Sequence, residues 1–127
     1  PFATQRFQQA NENLATISEI LQKGELDSFI NLVESEALSL HAMMLTSNPY
    51  FILMKPNTLE IINAIWRFRK DTGSKICFTL DAGANVHVLY PEHESENVIQ
   101  FIDNELSIFC QKNHYICDIV GLGAVKL

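Results

Sequence analysis

Apolar residues return along the first stretch of this chain with a helical period. Phe7, Ala10, Leu14, Ile17 and Leu21 form one stripe, and Gln, Asn and Glu fill the other face. Lys23-Gly24 closes the segment with a cation and a glycine stop. A second helix is predicted from Leu26 or Asp27 to about Leu45, with Leu26, Phe29, Ile30, Val33, Ala37, Leu40 and Met44 buried. The short link between helices of this length implies an antiparallel pair or a sharp bend. Thr46-Ser47-Asn48-Pro49 breaks the pattern. Tyr50–Met54 is apolar and short, and is the candidate for a first strand.

Asn57 with Glu60 resembles a capping box. It would open a third helix with Leu59, Ile62, Ile65 and Trp66 inward, ending in Arg67, Arg69 and Lys70, where cations favour the helix dipole and need no ligand. Lys75–Asp81 and Val86–Tyr90 then alternate as strands. Acidic Glu92–Glu96 suits the start of a fourth helix running to about Lys112, with Val98, Phe101, Ile102, Leu106 and Phe109 buried. Tyr115–Val120 is a last expected strand, followed by the tail GLGAVKL at 121–127. The order α-α-(β)-α-β-β-α-β predicts an α+β fold: a ferredoxin-like (split βαβ) antiparallel sheet packed against helices. No repeat or linker divides the chain, so residues 1–127 read as one domain.

Composition narrows the function. The chain has 127 residues, 47% hydrophobic and 19% charged, which suits a globular domain with a core. A net charge of −6 and a pI near 5.1 argue against nucleic acid or an anionic membrane as the main partner. Cys77, Cys110 and Cys117 show neither a CxxC pair nor metal-ligand spacing, which suits buried thiols in a reducing cytoplasm. No apolar run is long enough to span a membrane. The chain opens on Pro1, with no signal-peptide pattern, and is expected to be part of something longer.

Chemistry concentrates at Asp81-Ala82-Gly83-Ala84-Asn85, between the two strands of the hairpin. Such a turn either stabilises itself through its Asp or aims that acid into a cleft. Gly83 allows a positive φ, and backbone N–H groups around it could bind the carboxylate or an anion. In a water-poor cleft Asp81 could accept a hydroxyl proton or orient the group. His41 either bonds to backbone as a half-buried residue or lines the same cleft. Glu34, two turns earlier, could share a polar patch with it, while Glu36 lies further round and reads as solvated. GLG at 121–123 precedes no helix and is not a dinucleotide fingerprint. His87 and His93 lack the spacing of metal ligands. GxxxxGK[ST] and GxSxG are absent.

ESEALSLHAMMLTSNPYFIL at 34–53, followed by TLDAGANVHVLY at 79–90, resembles the C-terminal domain of mevalonate diphosphate decarboxylases, members of the GHMP kinase superfamily. The likeness covers nearly the whole chain, and the Asp-Ala-Gly-x-Asn turn is its specific part. It implies an ATP- and Mg²⁺-dependent enzyme that phosphorylates the 3-hydroxyl of mevalonate 5-diphosphate, then loses phosphate and CO₂ to give isopentenyl diphosphate. In that family the turn Asp, here Asp81, contacts the 3-hydroxyl, and Gly83, Asn85, His41 and Glu34 would bind substrate or support the cleft. Two departures stand out: Ala84 where the family usually has Pro, and GLGAVKL where many members have a Gly-Pro-Gly-Pro-like segment. The superfamily's serine-rich ATP loop is missing from these residues and belongs to an N-terminal domain. That domain is the expected partner and holder of most of the nucleotide, and this chain alone is expected to be inactive. Many members of that family dimerise, which makes a homodimer one expected assembly; the cytoplasmic location is the expectation from the cysteine pattern. Another GHMP small-molecule kinase, or a non-catalytic ferredoxin-like binding module, is the alternative.

Overall fold

The computed structural model describes residues 3–121. Four α-helices and one hairpin carry the architecture: α1 (Ala3–Lys23), α2 (Leu26–Leu45), α3 (Pro56–Thr72), β1 (Cys77–Leu80), β2 (Val86–Leu89) and α4 (Ser95–Phe101). The α+β class is as expected. Helix α1 ends at Gly24, whose φ of 69° turns the chain back so that α2 begins at once. Gly73 closes α3 the same way, its N–H bonding the Arg69 carbonyl at 2.9 Å. No helix among the described residues is long and apolar enough to cross a membrane.

The core gathers on β1. Ile76 and Phe78 are fully buried and Leu80 nearly so, against Ile62, Ala64 and Ile65 of α3 and Val98 and Phe101 of α4. Phe68 stacks on Phe101 at 4.1 Å between ring centres. Burying a side chain such as Phe78 contributes roughly 2–3 kcal/mol. Consecutive buried residues along β1 mean that both faces are covered. Helix α2 supplies part of that cover through Ile30, Glu34, Ala37 and His41. Strand β2 pairs antiparallel with β1, Leu80 opposite Val86 and Thr79 opposite His87. Val86, Val88 and Tyr90 turn toward the core, leaving His87 outward.

Several expectations are corrected. Tyr50–Met54 and Tyr115–Val120 are not strands, so the described sheet has two strands. Tyr50, Ile52, Ile116, Ile119 and Val120 are all exposed; Met54 does pack against the core, but no described strand pairs with either segment. The stripe on α1 faces outward at Phe7, Leu14 and Leu21. Ile17 of that stripe is shielded, together with Ile20, Arg6 and Asn13, the last two of which bond Glu36 on α2. Glu36 is therefore held rather than solvated. The shielded stripe of α2 includes polar Glu34 and His41, while Leu26 is exposed.

Helix α3 is not opened by Asn57 with Glu60. Pro56 takes its first position, and Thr58 Oγ1 accepts the Lys55 N–H at 3.1 Å. Asn57 instead donates to the Phe109 carbonyl at 2.9 Å. Leu59 is exposed, and Trp66 is partly so. The fourth helix changes hydrogen-bond pattern after Phe101, becoming a π segment over Ile102–Leu106 and a 3₁₀ turn over Ser107–Phe109. Of the three thiols only Cys77 is buried, and Cys117 is exposed. The tail beyond Gly121, including most of GLG, lies outside the described residues.

Candidate active site

Asp81 follows β1 by one residue and opens the turn into β2. The hairpin register is centred on Gly83, which makes Asp81 and His87 diagonal neighbours rather than direct partners. Diagonal positions lie within reach of a long side chain. His87 Nε2 stands 2.8 Å from Asp81 Oδ2. A carboxylate oxygen accepts, so the imidazole donates from Nε2. The Asp81 side chain is 74% exposed and that of His87 49%. Among the described residues, Asp81 Oδ1 receives no hydrogen bond.

The backbone under this carboxylate is pinned. His41 is 2% exposed, and its Nε2 lies 3.0 Å from the Asp81 carbonyl oxygen. A carbonyl can only accept, so Nε2 carries the proton there too. The same carbonyl accepts the Gly83 N–H at 2.7 Å, a tight three-residue turn. Beyond Gly83, the buried Thr58 hydroxyl donates to the Ala84 carbonyl at 2.8 Å while accepting from Lys55 N–H. The turn is thus tied to α2 on one side and to the start of α3 on the other. A carboxylate held this way, with one oxygen open, can accept a proton or orient a hydroxyl.

The five residues expected to form the site do not all meet. Asp81, Gly83 and Asn85 share the turn, and His41 supports it from α2. Gly83 does not take a positive φ, and its N–H is spent on the Asp81 carbonyl, so it builds no anion nest. A side chain at Gly83 would meet nothing within 4 Å. Asn85 is exposed at the far side of the turn.

Glu34 shares no described hydrogen bond with His41. It faces α3, accepting from Arg69 Nη1 at 2.7 Å, Arg69 Nη2 at 3.0 Å and Trp66 Nε1 at 2.9 Å. The Glu34 hydrogen bonds raise the Arg69 guanidinium above its usual range. Burial next to this pair pushes the Cys77 thiol up to about 11, which leaves it inert as a nucleophile.

Two residues at the turn escaped the sequence reading. His87 was set aside for lacking metal spacing, and Thr58 was not singled out. The hairpin register, centred on Gly83, carries the signal for His87. Nothing local pairs Thr58 with Ala84, which is 26 positions away. Among the described residues no group of three His, Cys, Asp or Glu side chains could hold a metal ion. An open cleft lined by Phe68, Ser74, Glu94, Asn97, Phe101 and Asn104 among others is not lined by Asp81, His41 or His87.

Residues 1–120 match the family described as the mevalonate 5-diphosphate decarboxylase C-terminal domain. A phosphomevalonate decarboxylase from Haloferax volcanii is 28% identical over 78 residues, 61% of this chain and 24% of that protein. The crystal structure of a mevalonate diphosphate decarboxylase from Legionella pneumophila is similar with a TM-score of 0.76 at 29% identity, over 84% of this chain and 34% of that one. The structure of MDDEF in complex with MVAPP, AMPPCP and magnesium has the same fold, with a TM-score of 0.76 at 23% identity over 86% of this chain and 33% of that one. The chain spans about a quarter of the length of the curated relative and about a third of these solved structures.

Proposed function

The chain belongs to the family of mevalonate 5-diphosphate decarboxylase C-terminal domains, and on that footing we propose that it forms the substrate side of an ATP-dependent decarboxylase that converts mevalonate 5-diphosphate to isopentenyl diphosphate. One observation carries the proposal: the Asp81 carboxylate stands on a turn pinned by His41 and Thr58, with Oδ1 open to a ligand. In the reaction Asp81 accepts the hydrogen bond of the tertiary 3-hydroxyl and takes its proton as the oxygen attacks phosphorus. A tertiary alcohol is a weak nucleophile, so a fixed acceptor within hydrogen-bond reach matters. Phosphorylation makes that oxygen a good leaving group. Asp81 passes that proton on to solvent; as the phosphate departs with loss of CO₂, positive charge grows on the carbon, and the Asp81 carboxylate, ionised again, stabilises it.

ATP and Mg²⁺ supply the phosphoryl group and screen its charge. The described residues of this chain do not fit them, since they offer neither a metal cluster nor a phosphate-cradling loop. We assign the nucleotide and metal mainly to an N-terminal domain, the partner of this one. The AMPPCP and magnesium held by MDDEF support that cofactor class. Residues 1–127 are taken as one domain of a cytoplasmic enzyme that assembles as a homodimer, for which light scattering is the check.

A second substrate has an observation in its favour. The Haloferax volcanii relative is a phosphomevalonate decarboxylase, whose name implies the monophosphate. Incubating the intact enzyme with ATP, Mg²⁺ and either mevalonate 5-diphosphate or the 5-monophosphate separates the two. The expected products are CO₂ and inorganic phosphate from the diphosphate. A stable phosphorylated alcohol without CO₂ would mean a kinase. Asp81→Asn should lower turnover by ~10²–10⁴-fold while leaving the fold intact. Near-normal turnover in that variant would overturn the role of Asp81. The 127-residue chain by itself should not turn over substrate, and ATP-dependent CO₂ release by it would refute the division of labour.

A further inference from the structure

We propose that His87 is the positioning residue for Asp81: its imidazole holds Oδ2 and so turns Oδ1 toward the reacting hydroxyl of the substrate. The part concerning the substrate rests on the decarboxylase reading. The pair itself rests on the hairpin.

Three features of the hairpin support the assignment. The Asp81 carbonyl is clamped by the His41 Nε2–H and the Gly83 N–H, so the backbone at this position is set and only the side-chain torsions remain. His87 Nε2, 2.8 Å from Oδ2, is the group that restrains them. The alternation of β2 then explains why an imidazole is available. Val86, Val88 and Tyr90 are used by the core, whereas His87 points outward and fills no packing role. Exposure supplies the third feature. With side chains 49% and 74% exposed, such a pair adds little to stability. Its consequence is therefore orientation. A carboxylate free to rotate would present its accepting lone pair to the hydroxyl only part of the time, and loss of alignment by about 1 Å can cost ~10²-fold in rate.

The test uses the intact enzyme with His87→Ala and His87→Gln. Glutamine places an amide N–H the same number of bonds from Cβ as imidazole Nε2, so it can donate to Oδ2 without a ring. His87→Ala should lower kcat by ~10–100-fold with KM changed by less than about threefold, the split expected when positioning in the transition state is lost. His87→Gln should recover most of that loss. A second measurement does not depend on turnover. The ¹⁵N resonance of His87 Nε2 should move in Asp81→Asn, while that of His93, on the following turn, should stay. The proposal is overturned if His87→Ala keeps kcat within about twofold of the parent, if glutamine rescues no better than alanine, or if the His87 resonance ignores Asp81→Asn. Should the parent enzyme release no CO₂ from either substrate, the decarboxylase reading falls, and the resonance still decides whether the pair exists.

Discussion

Replacing Glu34 with Ala tests the most buried carboxylate among the described residues. Glu34 is 7% exposed and accepts three hydrogen bonds, two from Arg69 and one from Trp66. Arg69 Nη1 also reaches the Ile76 carbonyl at 2.9 Å, so one guanidinium ties α2, α3 and the approach to β1 together. Removing the carboxylate strands a cation and an indole N–H. Breaking a buried pair costs about 3–5 kcal/mol. The Arg69 side chain is 26% exposed, so water can reach part of it and the lower end applies. An unpaired indole N–H adds ~1 kcal/mol. The expected loss is therefore ~4 kcal/mol, a large share of the roughly 5–15 kcal/mol that holds a domain. The chain has one tryptophan, Trp66, and it sits on the bridge, so its fluorescence reports a urea titration from the site itself. Glu34→Leu combined with Arg69→Met should recover most of the loss, because apolar residues of similar volume remove both charges from the interior. A cost below about 1 kcal/mol for Glu34→Ala would refute the reasoning, since it would class the bridge with ordinary surface pairs.

Acid should loosen α1 from α2. The Arg6 guanidinium bonds Glu36 and, with Asn13, holds its carboxyl below the ordinary 4.5 against the opposing effect of partial burial. A lowered carboxyl stabilises the fold fully above its unfolded value and loses that contribution as pH falls through the folded value. The urea midpoint should therefore drop as pH falls below 4.5, and Glu36→Gln should flatten that drop; parallel profiles for the two proteins would contradict it. Thiol labelling should follow burial. Iodoacetamide should modify exposed Cys117 first, and reach Cys77, whose thiol burial pushes up to about 11, only in urea. Peptide mass mapping would show the order, and early labelling of Cys77 would argue against its packing.

What could be read from the sequence depended on how far apart the deciding partners lie. The hairpin was legible because alternation and turn are local: Ile76, Phe78 and Leu80 point inward as the period requires. The class and the Asp81 turn followed from the same stretch. Helix α1 was legible as a helix and misread as a face. Its shielded side is set in part by Arg6 and Asn13 reaching Glu36, 30 and 23 positions away, and such polar pairing adds nothing to an apolar stripe. Glu34 was misplaced for the same reason. From one helix it looks like a neighbour of His41, but its partner Arg69 is 35 residues on. Tyr50–Met54 and Tyr115–Val120 carry strand composition, but no described strand pairs with either of them.

His87 is a different kind of omission, because its signal was local. Tested for metal spacing, a histidine six residues after an aspartate means nothing. Tested against a hairpin, the same spacing is informative. Once Leu80 faces Val86, the residue after Leu80 lies diagonal to the residue after Val86. A carboxylate at the first position and an imidazole at the second are then brought within hydrogen-bond distance by backbone pairing alone. The useful question at such a turn is therefore which side chains the register makes neighbours. Here the answer turns a lone acid at a strand end into a carboxylate with one oxygen held and the other free.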